Sequence, residues 1–325
     1  MNKLMEVIGK FKDKKIIVIG DVMLDKYIWG DVSRISPEAP VQIVNVVKES
    51  HVPGGAANVA NNIAALNAKP IMVGIVGNDE TKDKLIQELE KRNIDVTGLI
   101  NDKNKRTIQK VRVFGKNQQL LRFDYEKKGD VDADTENNVF NFVSKKIDEI
   151  DAIIVSDYAK GVITKSIMEK LIGLCKEKNK IIVTDPKPGH KEFYKDSTLI
   201  TPNQTEACQM TGLPEEEIKD TEVEKMGKKL LKELNSTVLI TKGEKGMSLF
   251  EKNDKITSIP TFAKEVYDII GAGDTSVATL TLALASGASF KDAAVIANHA
   301  AGITVGKIGT STVSIEELKE SIENG

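Results

Sequence analysis

Short β-branched runs alternate with longer apolar stretches of helical period along most of this chain. Residues 15–20, 70–76, 151–156, 180–185, 198–201, 237–241 and 247–250 are rich in Ile, Val and Leu, the pattern of strands buried on both faces. Between and after them, residues 56–67, 80–92, 134–147, 165–178, 205–211, 222–234, 273–284, 290–305 and 314–322 carry apolar positions at helical spacing. Strands separated by helices of this length predict an α/β fold with a mostly parallel sheet covered on both sides. No Pro/Gly-rich linker, internal repeat or low-complexity tract divides the sequence, so a single domain over 1–325 is expected.

Two regions break the rhythm. Residues 27–47 have β-rich ends around a polar, proline-containing loop, and residues 107–114 and 119–125 read as an antiparallel pair around Gly115-Lys116-Asn117. Together, over about 26–47 and 106–125, they predict a small second sheet. Such a sheet can act as a lid over a pocket at the strand C-termini, where open α/β sheets bind ligands. Ile28, Trp29 and Val44 are expected on exposed lid faces, which favours a homodimer that covers them.

Composition narrows the class. The 46 basic and 48 acidic residues leave a net charge of −2, which gives no support for non-specific nucleic-acid binding. Cys175 and Cys208, the two cysteines, have no metal-ligand spacing and read as small apolar residues on helices. No apolar run reaches the length of a membrane span, and the charged N-terminal stretch is unlike a signal peptide, so a cytoplasmic location is expected.

The densest chemistry lies in Gly271-Ala272-Gly273-Asp274, which follows a β-type run over 264–270 and opens a segment read as a buried helix over 277–285. Glycines at a helix start let a ligand approach the backbone, and the amides and dipole there favour an anion. A carboxylate beside such a cradle suits a base that takes the proton of a hydroxyl attacking a phosphate. It equally suits a helix cap, and the motif alone does not separate the two.

Other segments also carry paired readings. Gly54-Gly55-Ala56-Ala57-Asn58 is either a tight turn into a helix or a close contact with a ligand. Asp21 and Asp25 follow the first strand, as turn residues or as acceptors for sugar hydroxyls. Asn203 and Glu206 have the spacing of a capping box and could instead orient magnesium-bound water. Thr241 to Gly246 is a glycine-rich turn between strands, a hairpin or one wall of a nucleotide pocket. No Gly-x-x-x-x-Gly-Lys-Ser/Thr sequence occurs, and Gly20-Asp21-Val22 departs from a dinucleotide-binding Gly-x-Gly-x-x-Gly. His51, His190 and His299 are scattered and read as structural.

In their order these motifs resemble the ribokinase-like (PfkB) sugar kinases over nearly the whole chain. Residues 20–25, 33–41, 117–122, 156–161, 185–187 and 305–314 are most similar to the members of that family that act on a heptose 7-phosphate. The resemblance implies a three-layer α/β/α sandwich with a small β-sheet lid, with ATP as donor, Mg2+, and K+ as a monovalent cation. It implies transfer to O1 of D-glycero-D-manno-heptose 7-phosphate, on the way to ADP-heptose and lipopolysaccharide core. Asp274 would be the base and Gly271, Ala272 and Gly273 the anion hole, with Asp25, Gly54, Gly55 and Asn58 on the sugar. Asn203 and Glu206 match the magnesium-linked element, Thr241, Gly243 and Gly246 the nucleotide turn, and Asn298 the adenine contact. Asp268, Ile270, Val305 and Gly309 match the monovalent-cation loop. Arg34, Lys110, Arg112 and Arg122, in or near the lid, are candidates to hold the existing phosphate, or else solvated strand positions. Pro188 is an extra proline before Gly189 and departs from the family pattern.

Two rivals remain at this level. Another sugar kinase of the same family, such as a fructokinase or keto-deoxy-sugar kinase, would not need the basic lid residues. A nucleotide-sensing protein that lost catalysis would not need Asp274 and its flanking glycines.

Overall fold

The computed structural model describes residues 2–116, 118–213, 218–263, 266–307, 309 and 311–324. With strands numbered in chain order, the central sheet holds β1 (Lys15–Gly20), β4 (Lys69–Val76), β5 (Asp95–Asn101), β8 (Ala152–Ser156), β9 (Ile181–Asp185), β10 (Leu199–Ile200), β11 (Thr237–Thr241), β12 (Met247–Phe250) and β13 (Ile256–Ile259). Its nine strands run in the order β13-β12-β11-β10-β9-β8-β1-β4-β5. Pairing is parallel from β11 through to β5, and β12 and β13 close one edge antiparallel.

The unbroken apolar run of β1 is explained by burial on both faces. Ile16 and Val18 join one core with α1 (Asn2–Gly9), α2 (Ala56–Ala65), α3 (Glu80–Glu90), α8 (Ala272–Ala285), α9 (Phe290–Val305) and α10 (Ile315–Glu323). Ile17 and Ile19 join the other, with α4 (Ala133–Lys146), α5 (Lys165–Glu177), α6 (Gln204–Thr211) and α7 (Asp220–Leu234). Each such side chain contributes roughly 1.5–3 kcal/mol by leaving water, so the middle strands anchor both layers. Cys175 and Cys208 lie buried on α5 and α6.

The second sheet has four strands in the order β3-β2-β6-β7, from β2 (Val22–Ile35), β3 (Gln42–Gly55), β6 (Ile108–Gly115) and β7 (Gln118–Tyr125). Both rhythm-breaking stretches therefore leave the main sheet, although β2 and β3 reach deeper than the pattern suggested. Val22, Met23 and Leu24 are fully buried and root the sheet in the core. Asn117, at the expected β6–β7 turn, lies outside the described residues.

Several expectations are corrected. The edge strands β5 and β13 carry too many polar residues to stand out as apolar runs, and the eight-residue α1 is short and charged. Of the β-type run over 264–270, Lys264 and Glu265 lie outside the described residues; the rest is not a strand. The amides of Tyr267 and Asp268 instead donate to the Val305 carbonyl, folding the segment onto the end of α9. Ile28, Trp29 and Val44 are half-buried rather than exposed. Tyr27, Trp29 and Phe114 stack on one another with ring centroids 5.6–6.2 Å apart. The second sheet's exposed apolar residues are Ile35, Val41, Val46, Val47, Leu121, Phe123 and Tyr125.

One packing contact tests the core. Gly227 of α7 faces the buried Phe250 ring of β12, and a β-carbon there would lie 2.3 Å from it. Alanine gains about 1 kcal/mol of helix propensity over glycine. Overpacking a core costs about 1–3 kcal/mol, so the clash prevails. Gly227→Ala is expected to lower the urea midpoint; an unchanged or raised midpoint would mean that Phe250 can move aside.

Candidate active site

The chain leaves β1 for the β4–β5 side and returns through β8 to the other side, so the strand order reverses between β1 and β8. Crevices at such points collect the residues that follow strand C-termini. Here a cleft of about 180 Å³ is lined by Asp157 and Tyr158 after β8, Asp185, Pro186 and Lys187 at the end of β9, and Thr201, Asn203 and Glu206 after β10. Thr241 at the end of β11 and Gly271, Gly273, Asp274 and Ser276 at the start of α8 complete it.

Helix α8 begins at Ala272 behind Gly271, whose φ of 83° is left-handed and suits glycine. The Ala272 amide is engaged by the Ile269 carbonyl at 3.3 Å, which removes one of the three expected anion-hole donors in this arrangement. A β-carbon on Gly273 would meet nothing within 4 Å, so that position opens onto free space.

Asp274 is 9% exposed and does not cap the helix; no side-chain cap bond forms at the start of α8. Its Oδ2 accepts from Asn58 Nδ2 at 2.7 Å and its Oδ1 from the Tyr158 hydroxyl at 3.0 Å. Burial pushes its pKa up to about 6, against the lowering effect of those two donors; Asp25 adds a smaller push upward and Lys110 a smaller pull downward. Asn58 is itself held through a buried polar chain. Asn62 donates to the Asn58 carbonyl (2.9 Å), Thr275 donates to Asn62 Oδ1 (2.7 Å) and Thr304 donates to Thr275 (3.2 Å).

The residues that the resemblance assigns to the sugar also converge. Asp25 Oδ1 lies 3.0 Å from Arg112 Nη1, and both side chains are largely buried. A β-carbon on Gly54 would lie 2.8 Å from Asp25 Oδ2, and one on Gly55 would lie 2.6 Å from the Asp21 carbonyl. The two glycines therefore let β3 pass close behind these acids. Lys110 Nζ sits 5.6 Å from the Tyr158 ring centroid, and burial lowers its pKa.

The other two basic candidates are placed differently. Arg122 lies opposite Arg112 but is engaged by Asp124 at 2.7–2.9 Å on a more exposed surface. Arg34 is exposed near the far end of β2.

Asn203 and Glu206 form the expected capping box at the start of α6, with bonds of 2.8 and 3.0 Å, and both still line the cleft. Burial raises the pKa of Glu206. Burial also raises that of Asp185, with the nearby Glu206 and Asp274 charges adding to it. Gly243 and Gly246 both have left-handed φ, and a β-carbon on Gly246 would lie 2.1 Å from the Ile259 carbonyl. Neither glycine lines the cleft. Asn298 is buried, and its amide donates to the Pro260 carbonyl at 2.5 Å instead of reaching the cleft.

In the loop that the resemblance assigns to a monovalent cation, the Asp268 carboxylate accepts from the amides of Ile270 (3.0 Å) and Gly309 (3.1 Å), drawing the two segments together. Ile308 and Thr310 lie outside the described residues. The Val305 carbonyl already accepts the Tyr267 and Asp268 amides, so it does not fit as a cation ligand in this arrangement.

Tyr158, Asp157, Asp185 and Lys187 fall in the stretches 156–161 and 185–187, to which the resemblance assigns no role, and the structure brings all four to the cleft. Their signal was positional, since each stands just after, or at the end of, a predicted parallel strand. Pro188, the departure from the family pattern, starts a 3-10 turn over Pro188–Tyr194. That turn carries His190 Nδ1 and the Tyr194 hydroxyl to Asp157 Oδ2, each at 2.7 Å.

Comparison with known proteins gives the family and the fold. The model of the pfkB family carbohydrate kinases matches residues 13–318. The chain is 43% identical to the bifunctional protein HldE of Desulfatibacillum aliphaticivorans over 98% of its own length and 65% of that protein's. It is 42% identical to HldE of Geobacter sulfurreducens over 94% of its length and 62% of that protein's. It thus spans slightly less than two thirds of these curated relatives. Among solved structures, ribokinase from Thermotoga maritima superposes with a TM-score of 0.73 at 24% identity, covering 96% of this chain and 99% of that one. Phosphofructokinase-2 from Escherichia coli in complex with potassium gives 0.76 at 18% identity, covering 96% and 98%. The fold is ribokinase-like, and the chain belongs to the pfkB family of carbohydrate kinases.

Proposed function

We propose that this chain is an ATP-dependent, cytoplasmic kinase that phosphorylates O1 of D-glycero-D-manno-heptose 7-phosphate, giving the 1,7-bisphosphate for ADP-heptose synthesis. The observation that carries the reading is a buried carboxylate, Asp274, fixed by Asn58 and Tyr158 at a glycine-led helix N-terminus. Its pKa of about 6 leaves it mostly ionised at neutral pH and able to accept a proton. In the proposed step the sugar O1–H gives its proton to Asp274 while the oxygen attacks the γ-phosphorus in line and the bond to ADP breaks. Amides at Gly271 and Gly273 and the α8 dipole would take up charge on the transferring group. The cleft of about 180 Å³ suits that phosphate end, so the rest of the nucleotide would lie along its open side, toward Thr241 and the 243–246 turn.

Among the described residues no three His, Cys, Asp or Glu side chains are arranged to hold a metal alone. Magnesium commonly uses one or two carboxylates plus phosphate oxygens, and the acidic wall at Glu206 and Asp185 fits that chemistry. Glu206 and Asn203 would hold the ion, which when bound offsets phosphate charge. Lys110 and Arg112 would anchor the 7-phosphate, with Asp25 and Asn58 on sugar hydroxyls. The exposed apolar residues of the second sheet support a homodimer through that sheet.

The test is turnover with ATP and magnesium across heptose 7-phosphate, fructose 6-phosphate and unphosphorylated sugars. Preference for heptose 7-phosphate is expected. Preference for an unphosphorylated sugar would leave only the family assignment.

A further inference from the structure

The loop after β8, Ser156-Asp157-Tyr158-Ala159-Lys160-Gly161, borders the cleft. Its backbone is unusual. Ala159 has a φ of +53° and Gly161 of +105°, and a left-handed alanine persists only where its surroundings hold it. Asp21, fully buried, supplies that hold. Its Oδ2 accepts the Tyr158 amide at 2.9 Å and the Lys160 amide at 3.0 Å, and its Oδ1 accepts the Val162 amide at 3.2 Å. Asp157 grips the same turn from within, accepting the Ala159 amide at 2.7 Å while the Tyr194 hydroxyl fixes its other oxygen. Two buried carboxylates thus serve one turn, and the side chain which that turn delivers to Asp274 is Tyr158.

We propose that Tyr158 is a positioning residue for the base, its phenol fixing the plane of the Asp274 carboxylate so that a free lone pair faces the sugar hydroxyl, with Asp21 setting the phenol's place. The proposal rests on reading Asp274 as the base. Asn58 holds Oδ2 from α2 and Tyr158 holds Oδ1 from the β8 side, so rotation of the carboxylate breaks one bond or the other. Each carboxylate oxygen can accept two hydrogen bonds, which leaves room for the substrate.

The groups facing the pair come from several elements. Asp25 on β2 and Asp185 on β9 oppose ionisation of the phenol, and Asp274 itself opposes it most. Burial adds to these, so the phenol's pKa lies well above its usual value and it stays a donor throughout the working range. Lys110 on β6 lies over its ring and favours the charged form of Asp274.

The test titrates the Asp274 carboxyl by carbon-13 NMR in the substrate-free protein, beside pH profiles of kcat with heptose 7-phosphate. Tyr158→Phe removes one oxygen and keeps the ring. It is expected to move the Asp274 titration and the acid limb of kcat upward by about one pH unit. Turnover should then fall by about fivefold at pH 6 and recover at alkaline pH. Asp21→Asn, which turns one acceptor oxygen into a donor, should shift the titration in the same direction. An unmoved Asp274 titration in Tyr158→Phe overturns the proposal, as does a pH-independent loss confined to KM for the sugar. Asp274→Asn is run alongside. If that variant keeps its turnover, the base reading itself has failed; if it is inactive while Tyr158→Phe matches the parent, only the positioning role has.

Discussion

Asp274→Asn is expected to lose about 10²–10⁴ in turnover and yet to melt at or above the parent at pH 8. The two halves of that result have one cause. Burial raises the Asp274 pKa to about 6 from 3.8, so protonation favours the folded state. The contribution is fully present below about 3.8 and is lost as pH rises through about 6. At pH 8 the native protein therefore carries a buried charge at a cost of up to about 3 kcal/mol, less whatever local rearrangement recovers. Asparagine removes the charge, although its single oxygen cannot serve both Asn58 and Tyr158 as acceptor. Thermal melts at pH 8 and pH 5 check the sign: the variant's relative stability should be greater at pH 8. An inactive variant that melts several degrees below the parent at pH 8 would mean that Asp274 holds the site together more than it strains it.

The second large effect separates four lid cations that the sequence treats alike. Lys110→Ala and Arg112→Ala are each expected to raise KM for the sugar phosphate by about 10- to 100-fold, the worth of one charge-assisted hydrogen bond. Arg122→Ala and Arg34→Ala should stay within about threefold, as surface charges do. Lys110 lies over Tyr158 and Arg112 beside Asp25, whereas Arg122 is engaged by Asp124 and Arg34 is exposed on the outer part of β2. Steady-state kinetics with ATP saturating decides it. Arg112→Ala also strips Asp25 of its partner, so its melting temperature must be followed; Asp25→Asn in the same background should restore part of any loss. Four equal effects would place the phosphate outside the pocket drawn here.

Much of the main sheet was legible because its strands are buried on both faces and so read as unbroken apolar runs. The edge strands β5 and β13 were not, since one side of each faces no neighbour and polar residues are tolerated there. At the site, Asp274, Gly271 and Asn58 were legible from glycine and Asn at helix starts, and Lys110 with Arg112 only as basic residues of a predicted strand. Engagement of Arg122 is legible too, because Asp124 shares its face of β7. Tyr158 and Asp185 needed the fold, since only the order of β8 and β9 beside β1 brings them to α8. The inward turn of Asn298 toward Pro260 depends on where the β13–α8 segment lies, which no local pattern encodes.

The length of β2 has a mechanical consequence. Its first residues, Val22 to Leu24, are clamped in the core, and its last, Ile35, is 67% exposed. Fourteen residues of strand make a beam of roughly 45 Å, built in at one end only. Deflection of such a beam is nearly zero at its root, where Asp25 stands, and greatest at its tip. The reacting end of a bound sugar would thus meet the same geometry whatever the tip does. Changes near the tip could retune which molecules are enclosed, or which second copy is embraced, without disturbing the chemistry beneath.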